Sequence, residues 1–199
     1  MDILGKLFGT PARVKLMRLF LFNTDTVYDV KTACQRTRVQ KASGRKELNA
    51  LTTIGFIKKK MAKGKTLGYS LNPDFRFLGP IKALLIDPEF LSKEELVGRL
   101  KGAGKLKMLV ASGVFLQNPD SRLDLLIVSD KLKRPVLDEA VRKLESEIGK
   151  ELAYAVFDTE EFKYRLEMYD KLVSDVFDFE HEKLITAPEF STLIIKKKA

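Results

Sequence analysis

The sequence predicts an α+β protein built from two domains: a small basic head that begins with helices, and a larger body in which strands and helices alternate. Three observations predict it. At 199 residues the chain has room for units of about 75 and 110 residues, each large enough to bury its own core. The charge divides sharply, because residues 1–75 carry 15 Lys+Arg against 5 Asp+Glu, a net of +10. The remaining 21 basic and 22 acidic residues leave residues 76–199 at −1. Finally, helical periodicity up to about residue 53 gives way to two short β-rich runs, and strands then interleave with helices to the end.

Composition excludes several classes of chemistry. One cysteine, Cys34, rules out an internal disulfide and a thiolate cluster, and one histidine, His181, is too few for a finger or a triad. No metal or other cofactor is expected. No apolar run approaches the roughly 20 residues needed to span a bilayer. The opening Met1-Asp2-Ile3-Leu4-Gly5-Lys6 lacks the basic, apolar and small-residue order of a signal sequence, so a cytoplasmic protein is expected.

Within the head, Thr10 before Pro11 reads as an N-cap with proline at the first helical position. Val14, Met17, Leu19, Phe20 and Leu21 then form the apolar side, with Arg13, Lys15 and Arg18 outside it. Asn23-Thr24-Asp25 stops that helix. Asp29 caps a second helix through about Arg36, turning Val30, Ala33 and Cys34 inward. After a turn near Thr37 to Gln40, a third helix runs from about Lys41 to Thr53. Its inward set is Ala42, Leu48 and Leu51, and Gly55 closes it. Gly44 inside this helix weakens it by about 1 kcal/mol relative to alanine. Phe56 to Met61 and Leu67 to Leu71 read as short strands around the basic loop Ala62-Lys63-Gly64-Lys65-Thr66.

Three short helices and a basic hairpin over about residues 8–72 resemble the winged helix-turn-helix regulators. The most specific stretch is Glu47-Leu48-Asn49-Ala50-Leu51 through Ile54-Gly55-Phe56-Ile57. The resemblance implies a DNA-binding domain over residues 1–72 whose third helix enters the major groove of double-stranded DNA. The outer face of that helix offers Lys41, Ser43, Arg45, Lys46 and Asn49, with Arg45 and Asn49, four apart on one face, as the base-reading pair. Lys58, Lys59, Lys60, Lys63 and Lys65 would hold phosphates, which positions the protein without reading sequence. The same lysines could instead protect a solvated edge strand from pairing.

Residues 73–88 read as a linker with a short helix. Asn72-Pro73-Asp74 ends the second strand, and Gly79-Pro80 and Asp87-Pro88 punctuate the apolar run Ile81 to Ile86. The hydrophobicity of that run favours packing over a loose tether.

In the body, residues 89–199, a helix from Leu91 to Lys101 precedes a strand from Lys105 to Gly113 and another from Leu123 to Val128. A helix from about Pro135 to Ile148 follows, then a strand from Glu151 to Phe157, then helical segments with Phe162, Tyr164, Leu166 and Leu172. Pro119-Asp120-Ser121-Arg122-Leu123-Asp124-Leu125-Leu126-Ile127-Val128 resembles the signature strand of the minimal nucleotidyltransferase family, over about residues 90–180. The resemblance implies an α/β domain with a small mixed sheet. In that family a Gly-Ser step ends one strand, two aspartates in Asp-x-Asp on the next hold two magnesium ions, and a third carboxylate completes the site.

Here Asp124 matches the second aspartate, Arg122 stands at the first, and Ala153 stands approximately at the third. Ser112-Gly113-Val114 replaces the Gly-Ser step. Asp130 lies six residues on, roughly 20 Å along a strand, far beyond the 3.5–4 Å that separates two such metals. No catalytic residue and no metal ligand is therefore expected. A salt bridge between Arg122 and Asp124 is expected instead, and Ser112, Gly113, Arg122 and Asp124 remain as a candidate anion or nucleotide site. His181 and the Lys196-Lys197-Lys198 tail read as surface.

The function expected is a sequence-specific DNA-binding transcriptional regulator whose body forms a homodimer or senses a nucleotide. The alternatives are an active nucleotidyltransferase targeted by its head, acting on a nucleic-acid or protein hydroxyl, and a protein-interaction adaptor.

Overall fold

A computed structural model describes residues 3–62, 64–86 and 91–195; Lys63, Asp87-Pro88 and the 196–198 tail lie outside the described residues. The chain is a mixed α+β protein that divides into two compact units, Met1–Phe90 with Arg142–Glu151, and Leu91–Val141 with Leu152–Ala199.

The first unit runs α1 (Ile3–Leu7), α2 (Pro11–Phe22), α3 (Val30–Thr37), α4 (Lys41–Thr53), β1 (Ile57–Ala62), β2 (Lys65–Leu71) and α5 (Leu78–Leu85). Thr10 caps α2 as its sequence requires, accepting from the Arg13 N–H at 3.1 Å. This helix is buried on more than one side: Val14, Leu16, Met17, Leu19, Phe20 and Leu21 are all in the core. Arg18, expected outside, is buried too. Its Nε donates to the Leu85 carbonyl at 2.9 Å and its Nη1 to the Glu147 carbonyl at 3.2 Å, so fixed acceptors replace water around the charge. In the same unit Asn23 Nδ2 donates to the Gly149 carbonyl at 2.8 Å, and Arg36 pairs with Glu151. A Cβ on Gly149 would stand 2.6 Å from the Arg18 backbone, which explains a glycine there.

Asp29 caps α3 by accepting from the Thr32 N–H at 2.7 Å. Arg38 then takes a left-handed conformation (φ 53°), and three residues later α4 has begun. The two helices cross tightly, because a Cβ on Gly44 would lie 2.3 Å from Cys34 Sγ. The glycine that weakens α4 as an isolated helix is what lets α3 approach it. β1 and β2 form an antiparallel hairpin with Lys59 opposite Tyr69, and Tyr28 bridges to Tyr69 through backbone bonds of 2.8 and 2.9 Å. Phe20, Leu48, Leu51, Phe56, Ile57 and Leu71 close one core, and Leu85 of α5 is buried in it. The apolar run after the hairpin therefore packs rather than tethers.

The second unit begins with α6 (Lys93–Leu100), started by a capping box between Ser92 and Glu95. It continues with β3 (Lys105–Ala111), a 3₁₀ turn over Gly113–Leu116, β4 (Leu125–Asp130) and α7 (Arg134–Ile148), whose residues from 142 belong to the first unit. β5 (Tyr154–Phe157), α8 (Thr159–Glu167), α9 (Lys171–Asp178), β6 (Glu182–Thr186) and α10 (Pro188–Ile195) complete it. The sheet is ordered β5-β4-β3-β6, with β4 and β5 parallel and the other neighbours antiparallel. Met108, Val110, Leu126 and Val128 pack with Phe157, Phe162, Val176 and Phe190. Among the described residues, no helix is long and apolar enough to cross a membrane.

Candidate nucleic-acid interface

The face of α4 follows from 100° per residue. Gly44, Glu47, Leu48 and Leu51 are buried on one side, and Lys41, Ser43, Arg45, Lys46 and Asn49 are all exposed on the other. Ala42, expected inward, is exposed: it falls between Asn49 and Lys46 on the outer arc, and Gly44 takes the inward place at the α3 crossing. Lys41, Arg45 and Asn49 form one i, i+4 row.

Glu47 decides the electrostatics of this helix. It is the one acid of α4, yet only 2% exposed. Its Oε2 accepts from Arg13 Nε at 2.7 Å and its Oε1 from the Thr10 hydroxyl at 2.9 Å. Arg13 also donates to the Phe8 carbonyl at 3.0 Å. The only negative charge of the helix is thus turned in and neutralised, and the outer face carries cations and neutral polar groups alone. Sequence reasoning missed this pairing, since its partners lie 34 and 37 residues apart in the chain. The available signal was Glu47's place on the wheel beside Gly44 and Leu51.

On the hairpin, Lys58, Lys59, Lys60 and Lys65 are exposed. Lys58 pairs with Asp74 at 2.9 Å, an exposed contact of little energetic weight. Lys63 lies outside the described residues. Among the described residues, Lys41, Arg45, Lys46, Lys59, Lys60 and Lys65 enter no ion pair, so six cations are open to an external anion.

The second unit brings Ser112, Gly113 and Asp124 together and leaves Arg122 apart. Asp124 is 2% exposed, with Oδ1 accepting from the Val114 N–H at 2.7 Å and Oδ2 from the Ala153 N–H at 2.8 Å. Gly113 is left-handed (φ 55°), and a Cβ on it would lie 2.3 Å from Asp124 Oδ1. Buried Ser112 donates to the Leu123 carbonyl at 2.6 Å. Ala153 does stand beside Asp124, but what it presents there is a backbone amide. The expected Arg122–Asp124 salt bridge is not formed; Arg122 pairs with Asp175 at 2.8 Å. Each carboxylate oxygen accepts a charge-assisted bond from a backbone amide, which offsets its burial.

Asp130 sits at the other end of β4, accepting from the Thr159 hydroxyl (2.7 Å) and N–H (3.1 Å) and pairing with Lys107 at 3.3 Å. The Thr159 bonds, chiefly, hold its carboxyl below the usual carboxylate range. Burial pushes the Cys34 thiol up, against the pull of Lys41 and Arg45. Among the described residues, no group of three or more His, Cys, Asp or Glu side chains is placed to hold a metal ion. Compared with family models, curated proteins and solved structures, the chain matches none.

Proposed function

We propose that this protein is a sequence-specific DNA-binding transcriptional regulator of the cytoplasm. Its first unit acts as a winged helix-turn-helix that sets α4 in the major groove and lays the β1–β2 hairpin along a phosphate backbone. Its second unit is a nucleotidyltransferase-like body that forms a homodimer or senses a nucleotide without catalysing a reaction. The observation that carries the reading is the sorting of charge on α4, where the sole acid is buried and paired while Lys41, Arg45, Lys46 and Asn49 face outward. Cations occur on ordinary solvated helix faces too, but a groove-reading helix requires them unpaired and unaccompanied by an exposed acid. A non-catalytic body is supported by Asp124, whose two oxygens are both held by backbone amides.

The test is fluorescence-anisotropy binding of the full chain to its own upstream DNA and to a scrambled duplex across a salt series. With Arg45 reading a base and the other five open cations on phosphates, a slope of log affinity against log salt of about −4.5 is expected, a loss of about 500-fold from 50 to 200 mM. Arg45→Ala should relax preference at one base position by about 1–3 kcal/mol. Binding that is absent, or equal on both duplexes, refutes the regulator reading.

A further inference from the structure

The most basic-looking residue near α4 is not on its outer face. Arg13 lies in the first turn of α2 with its side chain one-third exposed, so by charge alone it belongs among the phosphate contacts. Its geometry assigns it differently. Nε donates to Glu47 Oε2 at 2.7 Å and Nη1 to the Phe8 carbonyl at 3.0 Å, so the guanidinium is held from two sides by the protein itself. Glu47 in turn has no solvent to stabilise it, with 3% of its side chain exposed, and its second oxygen is taken by Thr10. Thr10 closes the arrangement by accepting from the Arg13 N–H at 3.1 Å while donating to Glu47 at 2.9 Å. The N-terminus of α2 and the middle of α4 are therefore joined by one charge-assisted network at a fixed rotation of α4 about its axis.

We propose that Arg13 is a positioning residue for DNA recognition: acting through Glu47, it fixes the rotation of α4 that presents Arg45, Asn49 and Ala42, and it does not itself hold a phosphate. The proposal rests on the DNA-binding reading above. Without Arg13, Glu47 becomes a buried carboxylate that lacks its charge partner. Turning α4 toward solvent returns water to the carboxylate. On the wheel Glu47 lies some 40° beyond Ser43, at the edge of the outer arc, so that rotation takes Arg45 and Asn49, the base-reading pair, out of register with the base edges while the hairpin cations keep their phosphates. The two roles leave different signatures. A phosphate contact adds about 0.9 to the salt slope and acts equally on every sequence. A positioning contact leaves the slope alone and acts only where bases are read.

The experiment uses the full-length protein and a duplex selected by it from a randomised pool, with a scrambled duplex of the same composition as control. For Arg13→Gln, affinity for the selected duplex should fall about tenfold or more, affinity for the scrambled duplex should change less than twofold, and the salt slope should be unchanged. Thermal melting of each variant fixes the folded fraction, so that unfolding, which lowers binding to both duplexes equally, is not mistaken for lost discrimination. The paired variant Arg13→Met with Glu47→Leu removes both charges together and should recover discrimination to within about threefold of the unaltered chain. Parallel loss on both duplexes with a shallower slope overturns the proposal and makes Arg13 a phosphate contact. A paired variant no better than Arg13→Gln also overturns it. If selection enriches no sequence at all, the DNA-binding reading falls first and this inference with it.

Discussion

Gly44→Ala sets two effects of known size against each other. In an isolated helix alanine is favoured over glycine by about 1 kcal/mol. In α4 the new Cβ would stand 2.3 Å from Cys34 Sγ, more than 1 Å inside ordinary contact, while Val39 Cγ1 and Cys34 Cβ are comfortable at 3.7 and 3.8 Å. The obstruction is thus a single atom. Sγ can leave only by turning to another staggered position in a helix where one of the three is largely closed, or by pushing α3 away. Overpacking of that kind costs about 1–3 kcal/mol, so the net expectation is a loss of up to about 2 kcal/mol. In a Cys34→Ala background the obstructing sulfur is gone, and the same substitution should stabilise by up to about 1 kcal/mol. The effect of Gly44→Ala therefore depends on residue 34, with a coupling of about 1–3 kcal/mol. Urea unfolding of the four proteins of this cycle measures it. A stabilising Gly44→Ala in the Cys34 background, or additivity of the two substitutions, refutes the account of why a glycine stands in α4.

Other outcomes follow from the second unit and from the helix caps. Asp124→Asn leaves one amide N–H facing another donor in a buried corner, and should destabilise by about 2–4 kcal/mol in urea. Magnesium with nucleoside triphosphates should give no labelled product in either form; incorporation that vanishes in Asp124→Asn would instead favour the nucleotidyltransferase alternative. Asp29, Asp130 and Asp170 are held below the usual carboxylate range by bonds from Thr32, from Thr159 and from the Val173 N–H with Arg165 nearby. Because their folded values are depressed, the stability they contribute is complete above the unfolded value near 4 and is lost as pH falls through the folded ones. Melting temperature should accordingly drop below about pH 4, and Asp170→Asn should flatten that drop; an unchanged profile would show that the α9 cap carries no linkage. A fragment ending at residue 90 removes the Glu147 and Gly149 carbonyls from Arg18 and Asn23, and should melt below the first unit of the full chain by differential scanning calorimetry.

Local signals in the sequence located most of the helices. Thr10-Pro11, Asp29 and the span from Lys41 to Thr53 were readable because caps and periodicity act within one turn, and the structure places α2, α3 and α4 there. The outward set on α4 was readable for the same reason. What failed to show were choices settled by distant partners. Arg18 breaks an apolar stripe and reads as surface until the carbonyls of residues 85 and 147 are beside it. Glu47 reads as one more surface acid until Arg13 arrives. β6 was missed because it is a five-residue edge strand with one exposed and four half-buried positions, so it shows no alternation of period two. At Asp124 the sequence suggested a cation as partner, whereas backbone amides reach both oxygens, that of Val114 just after the left-handed turn at Gly113 and that of Ala153 just before β5.

The first unit is not one continuous stretch of chain, and this gives it a history during synthesis. The carbonyls that receive Arg18 and Asn23 stand 129 and 126 residues later. At about 5–20 residues per second, the ribosome needs roughly 6–25 s to travel from one to the other. Through that interval the α2–α4 core can close and Arg18 can meet the Leu85 carbonyl, while its second acceptor is not yet made. The nascent head is thus complete in outline before it is complete in energy, and its last stabilising contacts arrive only when most of the body has been translated.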